Sequence, residues 1–231
     1  TGHMSSVVVM GTAAFWEIGQ EDANAALDLA LAHGVNHIDV APQYGMAEER
    51  VGPWLEHRRD QFFVGCKTME RSREVAWAEL HRSLARLRLD ALDLYQLHAV
   101  GTFEELEKAL APGGAIEALV EAREAGLTRY LGITGHGLQA PAVHAAALEH
   151  FDFDTVMFPI NFIEFFQWGF GKPVLELARE QGAAVLAIKP MCRGAWPKDM
   201  ERTRRWWYHP VEDDREIDLV LRFTLSQQPV A

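Results

Sequence analysis

The feature that most constrains the fold is a strict alternation of short apolar runs and helical segments along the chain. Each run has the length and composition of a β-strand, and each is followed by apolar residues at helical spacing. Such alternation predicts parallel strands joined by right-handed crossovers. The predicted strands are Val7–Met10, Asn36–Val40, Phe62–Cys66, Leu92–Leu97, Tyr130–Ile133, Thr155–Phe158 and Ala184–Ile188.

Two α/β architectures fit this order, an open doubly wound sheet and a barrel. A doubly wound sheet usually carries a glycine-rich phosphate loop after its first strand. The segment after Val7–Met10 reads Gly11-Thr12-Ala13-Ala14, which is not such a loop, so the pattern favours a barrel. Because no linker or change of composition interrupts the pattern, we expect a single barrel catalytic domain over residues 1–231.

The charge balance restricts the possible partners. The chain has 22 basic and 33 acidic residues, a formal net charge of -11, which argues against nucleic acid or an anionic membrane as a partner. One short basic cluster, residues 202–205, is interpreted as a solvated helix face. No apolar run approaches the ~20 residues of a membrane helix, and no signal peptide is visible. Cys66 and Cys192 suggest neither a disulfide framework nor a metal site, so a cytoplasmic location is expected.

Three successive predicted strands end in an ionisable residue. Asp39 closes the second strand, Lys67 follows the third and His98 follows the fourth. A loop after Asp39 presents Tyr44 five residues later. Taken singly, each residue has a plain structural interpretation, such as a turn cap, a loop aromatic, a solvated lysine or a core histidine. Because the active site of a barrel lies at the carboxyl ends of its strands, the four together predict a catalytic centre.

The segments around these residues resemble the aldo-keto reductase superfamily. The matching segments are GVNHIDVAPQYGMAEERVG, VGCKT, LYQLH and GITGHG, and the likeness extends from Gly11-Thr12 to about Leu225. The resemblance implies a (β/α)8 TIM barrel that uses NADPH, with NADH as the alternative cofactor. It also implies a catalytic tetrad made of Asp39, Tyr44, Lys67 and His98.

The resemblance further assigns residues to the cofactor. A Ser-Asn pair that holds the nicotinamide carboxamide in the family falls on Thr134 and Gly135, so the hydroxyl is kept and the amide is lost. Met157 replaces a glutamine that contacts the same group, and Ile188 replaces an aromatic that stacks on the ring. The residues expected to contact the cofactor are Gly11, Thr12, Asp39, Thr134, Gly135, His136, Met157, Lys189 and Arg193.

The tetrad suits the reduction of a carbonyl group. Tyr44 would act as the general acid, although a free phenol has a pKa near ~10. The Lys67 ammonium is expected to lower that pKa, while Asp39 holds Lys67 in place. His98 would orient the carbonyl through a ring N–H. The hydride must come from a cofactor, because no side chain donates one.

The eighth strand that would close the barrel is missing from the sequence. The chain stops at Gln228-Pro229-Val230-Ala231, where the family begins this strand and continues into the segment that binds the adenosine phosphate. We therefore expect the natural protein to be longer. The choice between NADPH and NADH depends on that segment, and the sequence predicts neither the substrate nor the oligomeric state.

Three functions remain open at this point. The first is an NAD(P)H-dependent oxidoreductase that reduces an aldehyde or ketone, a small carbonyl substrate, to an alcohol. The second is a nicotinamide-binding regulatory or interaction protein with little turnover, which the departures at Gly135, Met157 and Ile188 favour. The third is a metal-dependent hydrolase, but the sequence lacks a clustered set of His and Asp ligands, and no metal site is predicted.

Overall fold

A computed structural model describes residues 3–202 and 208–230. The helices in these ranges are α1 (Gln20–Ala32), α2 (Ala47–Leu55), α3 (Arg73–Leu87), α4 (Phe103–Leu110), α5 (Ala115–Glu124), α6 (Ala140–His150), α7 (Phe162–Trp168), α8 (Lys172–Gln181) and α9 (Asp214–Ser226). The strands are β1 (Met10–Gly11), β2 (His37–Asp39), β3 (Phe63–Thr68), β4 (Leu94–Leu97), β5 (Tyr130–Thr134), β6 (Thr155–Pro159), β7 (Ala184–Ile188), β8 (Cys192–Gly194) and β9 (His209–Pro210).

The first of two compact units comprises Thr1–Ala99 and Phe103–Ile133. Strands β1 to β5 lie side by side in sequence order, and each pair is parallel. The register places Gly11 beside Asp39, and Asp39 beside Gly65. The carboxyl ends of β1 and β2 are therefore level, and β3 continues past them in the same direction to Thr68. In a barrel the shared site lies at this edge of the sheet.

Helix α3 packs against β3 and α5 against β4, while α2 packs against α3. Helix α3 shows why the helical segments form where the sequence predicts them. Its apolar residues recur every three or four positions, so one face carries Ala76, Leu80, Leu84 and Leu87, all of them buried. Burying a leucine side chain contributes roughly 1.5–3 kcal/mol, more than the differences of up to ~0.7 kcal/mol in helix propensity among ordinary residues. Packing of this face therefore fixes the helix against the strands.

Two predictions for this unit were inaccurate. The first strand was predicted over Val7–Met10, but the paired residues are Met10–Gly11, and Val7 and Val8 are exposed. Apolar side chains in solvent supply no burial energy for a strand. Helix α4 was not predicted, because this segment is short and only Leu106 and Ala109 of it are buried.

The second compact unit comprises Val100–Thr102 and Thr134–Ala231. Strands β6 and β7 pair in parallel, with Met157 beside Leu186. The N–H of Gly135, directly after β5, donates to the carbonyl of Met157 at 3.1 Å. Helix α6 packs against α8, and α7 packs against α9. This unit thus repeats the strand–helix alternation that the sequence predicts.

The predicted long loop after β7 contains more structure than expected. Strands β8 and β9 form an antiparallel pair, with Cys192 beside Pro210. Helix α7 was also predicted as loop, and it begins at Asn161, whose side chain accepts a hydrogen bond from the Glu164 N–H. Residues 203–207, which hold most of the predicted basic cluster, lie outside the described residues.

Near the end of the described chain, Val230 makes an isolated parallel bridge with Val185 of β7. The Val185 N–H also lies 3.4 Å from the carbonyl of Pro229. A parallel partner on this side of β7 is what a following barrel strand would supply.

Candidate active site

The first pair of the predicted tetrad is a buried ion pair. Asp39 ends β2 and Lys67 lies on β3, and the two residues are 7% and 1% exposed. The Lys67 ammonium donates to Asp39 Oδ2 at 2.5 Å and lies 3.3 Å from the carbonyl of Val40. The second carboxylate oxygen of Asp39 lies 3.4 Å from Nε2 of Gln96 on β4. Buried charges persist in proteins when they are paired and hydrogen-bonded in this way.

The loop after β2 brings Tyr44 to the same ammonium. Gly45 has a φ of +58°, and a Cβ at this position would lie 2.5 Å from the carbonyl oxygen of Trp16. The same carbonyl accepts the N–H of Met46 at 3.0 Å, which fastens the loop. The Tyr44 hydroxyl accepts a hydrogen bond from Lys67 Nζ at 3.2 Å. A glycine is therefore needed at this point for the chain to turn and present the phenol.

The pKa of Tyr44 is raised, whereas the sequence analysis expected it to be lowered. Burial raises the pKa of Tyr44 above its ordinary value, and the Lys67 ammonium opposes this rise without reversing it. Burial by itself would lower the pKa of Lys67, but Asp39 and Tyr44 more than offset that effect, so its pKa is raised. At neutral pH the pair therefore consists of a neutral phenol and a charged ammonium, the protonation states that a proton donor and its neighbour need.

His98 completes the group. Its ring meets the Tyr44 ring edge to face, with centroids 5.8 Å apart. Two hydrogen bonds, each of 2.7 Å, fix the backbone of His98. The His98 N–H donates to the Thr68 carbonyl, and Arg71 Nη2 donates to the His98 carbonyl. Its Nδ1 lies 3.1 Å from Oε1 of Gln43 in the loop that presents Tyr44. All four predicted residues are thus brought together within the first unit.

Two further residues of the first unit were assigned to the cofactor. The Thr12 hydroxyl is buried and donates to the backbone carbonyl of Asp39 at 3.0 Å. This bond holds the end of β1 against the end of β2. Gly11 precedes it at the end of β1 and is exposed. Their contact with a cofactor stays a prediction.

In the second unit, the positions after β5 differ from the family pattern for a physical reason. Thr134 and Gly135 are buried, while His136 is exposed. A Cβ at Gly135 would collide with the Val100 carbonyl oxygen and lie 2.5 Å from Nε2 of His144 on α6. The imidazole of His144 is fully buried and lies 3.2 Å from that carbonyl. It fills the space that a longer side chain at position 135 would need, and burial lowers its pKa to about 4.

Restoring the family residue at this position is therefore expected to destabilise the fold. Gly135→Asn should lower the free energy of unfolding by roughly 1–3 kcal/mol, the usual cost of overpacking a buried site. Gly11→Asn is the matched control, because a Cβ there meets nothing within 4 Å. Denaturant unfolding of both variants measures the difference. Equal stability of the two would show that His144 moves aside without cost.

The remaining predicted cofactor residues do not converge on one point. Met157 is buried on β6. Lys189 lines a cavity of about 300 Å³, and its Nζ lies 3.5 Å from Nδ1 of His136. Arg193 instead lines a separate apolar cavity of about 470 Å³, where it pairs with Glu216. A shared task for Lys189 and Arg193 on the cofactor phosphates stays a prediction.

Several side chains near the candidate site were missed from the sequence. Gln43, Glu79 and Gln96 are polar residues whose partners lie far away in the chain, and His144 was given no role. Of these, only Gln43 carried a usable signal, because it sits in the loop between Asp39 and Tyr44.

Two kinds of feature are absent from the described ranges, 3–202 and 208–230. They contain no group of three or more His, Cys, Asp and Glu side chains that could hold a metal ion. None of their helices combines the length and the apolar character needed to cross a membrane.

Comparison with known proteins gives consistent matches. The sequence model of the aldo/keto reductase family matches residues 7–222. The chain is 32% identical to Protein tas from Escherichia coli (strain K12) over 166 residues, which are 56% of this chain and 48% of that protein. It is 28% identical to aldo-keto reductase YhdN from Bacillus subtilis (strain 168) over 219 residues, 84% of this chain and 61% of that protein. The chain thus spans about half the length of the curated relatives it matches.

A solved structure shows the same fold. The chain superposes on the holo form of aldo-keto reductase AKR11C1 from Bacillus halodurans with a TM-score of 0.74 and 23% identity, over 98% of this chain and 80% of that one. This confirms the predicted α/β fold of the (β/α)8 type. The match of the family model to nearly the whole sequence confirms the resemblance as well, and the chain belongs to the aldo/keto reductase family.

Proposed function

We propose that this chain carries the catalytic centre of an NAD(P)H-dependent oxidoreductase that reduces an aldehyde or ketone to an alcohol. The observation that carries the proposal is the hydrogen-bonded series from Asp39 through Lys67 to Tyr44, with His98 against the Tyr44 ring. A general acid needs a proton, a fixed position and a neighbour that stabilises the charge it acquires. These three requirements are met by the raised pKa of Tyr44, its anchored loop and the adjacent ammonium.

In this proposal each side chain has a separate task. Tyr44 donates its proton to the carbonyl oxygen, and Lys67 stabilises the phenolate that remains. Asp39 keeps Lys67 charged and in place, because its carboxylate is the nearest partner of the ammonium. His98 contacts Tyr44 and takes part in orienting the substrate. The nicotinamide cofactor supplies the hydride.

The second unit contains groups that suit a dinucleotide. The cavity of about 300 Å³ is lined by the Lys189 cation, by Asn161 and by the glycines Gly137 and Gly194, which let a ligand approach the backbone. A cation and exposed backbone amides are what phosphate groups require. We propose Thr134, Met157 and Lys189 as cofactor-binding residues, with NADPH as the cofactor and NADH as the alternative.

The test is turnover with a panel of aldehydes and ketones, followed at the absorbance band of the reduced nicotinamide. Consumption of NADPH or NADH that depends on the carbonyl compound supports the proposal. A parallel fluorescence titration compares the two cofactors. Tight cofactor binding without turnover on any carbonyl would instead support the regulatory protein, which the changes at Gly135 and Met157 favour.

The proposal also covers the partners of the protein and its location in the cell. The partner is a small carbonyl compound, with no role for nucleic acid or membrane. A cytoplasmic location is in keeping with two free cysteines, of which Cys66 is fully buried.

A further inference from the structure

A chain of hydrogen bonds leads away from His98 through residues that have no role in the proposal above. His98 Nδ1 lies 3.1 Å from Oε1 of Gln43, and Nε2 of Gln43 donates to Glu79 Oε1 at 3.3 Å. The other oxygen of Glu79 accepts the Thr68 hydroxyl at 2.6 Å. Thr68 Oγ1 in turn accepts the backbone N–H of Glu70 at 3.1 Å. All five residues belong to the first unit.

The far end of this chain fixes its direction. Burial raises the pKa of the Glu79 carboxyl, and the hydrogen bond from Thr68 opposes that rise. The distance of 2.6 Å between the Thr68 hydroxyl and Glu79 lies in the ~2.5–2.7 Å range of a hydroxyl that donates to an ionised carboxylate, so we take Glu79 as ionised at neutral pH. An ionised carboxylate only accepts hydrogen bonds. The amide of Gln43 must therefore turn its NH2 group towards Glu79, and its carbonyl oxygen then faces His98.

The orientation of Gln43 determines the state of the imidazole. A carbonyl oxygen has no proton to give, so the bond between Gln43 and His98 requires a proton on Nδ1. We infer that Glu79 and Gln43 are positioning residues of the proposed catalytic centre and hold His98 in the tautomer that carries its proton on Nδ1. Glu79 is buried within α3 and is linked to His98 through Gln43, so its proposed effect on the imidazole is transmitted by that amide.

This tautomer changes the task expected of His98. With the proton on Nδ1, Nε2 of the neutral ring accepts a hydrogen bond and does not donate one. Donation from Nε2 to a carbonyl oxygen then requires the doubly protonated ring. In the neutral state, Tyr44 is therefore the proton donor of the pair, and Nε2 of His98 is available only as a hydrogen-bond acceptor. The inference rests on the proposed function where it calls the site catalytic. The tautomer of His98 itself can be observed whether or not the protein turns over a substrate.

The test is nitrogen NMR of protein labelled with 15N-histidine, at a pH where the ring is neutral. The His98 signals are identified by their loss in His98→Asn. In the wild type we expect Nδ1 to give the shift of a protonated nitrogen and Nε2 that of an unprotonated one. The opposite pattern overturns the inference, whatever the enzyme assays show.

Two variants separate positioning from packing. Glu79→Gln keeps the shape but lets Gln43 turn either way, so the two His98 nitrogens should move towards the average shift of mixed tautomers. The exchanged pair, Gln43→Glu with Glu79→Gln, puts the carboxylate next to His98 and should restore the proton to Nδ1. Glu48→Gln is the matched control, because Glu48 is also a buried glutamate of the same unit but binds Arg86.

These outcomes are independent of the proposed function. An unchanged tautomer in a folded Glu79→Gln variant overturns the positioning role and leaves the reductase proposal standing. If Glu48→Gln moves the His98 signals as far as Glu79→Gln does, the change would reflect a general loss of packing in the unit. That result would also overturn the inference. Absence of turnover with the expected tautomer would overturn the reductase proposal alone.

Discussion

Replacing Tyr44 with phenylalanine is expected to lower the rate of carbonyl reduction by roughly 100- to 10,000-fold, the usual contribution of a general acid. The change removes only the hydroxyl group, and Lys67 keeps its bonds to Asp39 and to the Val40 carbonyl. The loss of one hydrogen bond should therefore change the free energy of unfolding by no more than about 1.5 kcal/mol. The measurements are kcat with a saturating carbonyl substrate, cofactor affinity by fluorescence and a thermal melt.

Tyr95→Phe is the matched control for this variant. Tyr95 is a fully buried phenol on β4 whose hydroxyl donates to the Ala76 carbonyl at 3.2 Å. Its removal should affect stability by a similar amount but leave kcat near that of the wild type. Activity of Tyr44→Phe within about threefold of the wild type would remove Tyr44 from the role of proton donor.

Replacing Lys67 with methionine is expected to have two large effects, one on the pH dependence and one on stability. Burial raises the pKa of Tyr44, and the Lys67 ammonium is the main influence that lowers it. Without this cation the phenolate is less favourable, so the pKa of Tyr44 rises further. The alkaline limb of the pH–rate profile for reduction should therefore move to higher pH, while kcat falls because the phenolate loses its stabilising neighbour.

The effect on stability comes from the partner that is left behind. Asp39 is buried, and Lys67→Met removes the ammonium 2.5 Å from its carboxylate. Breaking one side of a buried ion pair typically costs about 3–5 kcal/mol. The double variant Asp39→Asn with Lys67→Met removes the unpaired charge as well and should be more stable than Lys67→Met alone. Thermal or denaturant unfolding of the two variants measures this difference.

An exposed lysine provides the control. Lys108 forms an ion pair with Glu104 on the surface of α4, and Lys108→Met should change neither the pH–rate profile nor the stability appreciably. If Lys67→Met behaved like Lys108→Met in both measurements, the arrangement of Asp39, Lys67 and Tyr44 would have no part in the chemistry.

The four tetrad positions could be predicted from the sequence because each depends on its place relative to a neighbouring strand in the chain. A strand followed at once by an ionisable residue must present that residue at the strand's carboxyl end, and parallel pairing makes such ends meet. Asp39, Lys67 and His98 were placed on this basis, and Tyr44 followed from its loop. The structure brings the four together within one unit. Their catalytic roles stay predictions until the variants are measured.

Other features depend on residues that are far apart in the sequence. The pKa of Tyr44 was expected to fall, but its direction is decided by burial, which a sequence does not display. Gln43 is separated from His98 by 55 residues and from Glu79 by 36, and no local pattern links them. Helices α4 and α7 escaped prediction because short segments gain their stability from tertiary contacts more than from their own propensity.

The sequence by itself determined the alternation of strands and helices, the family and the four residues at the strand ends, because periodicity and motif order act over a few residues. Only the tertiary structure decided what surrounds those residues. It placed the His144 ring in the space beside Gly135, and it set Lys189 and Arg193 in different cavities. Such outcomes follow from volume, burial and long-range hydrogen bonds, which come into being only when distant segments pack together.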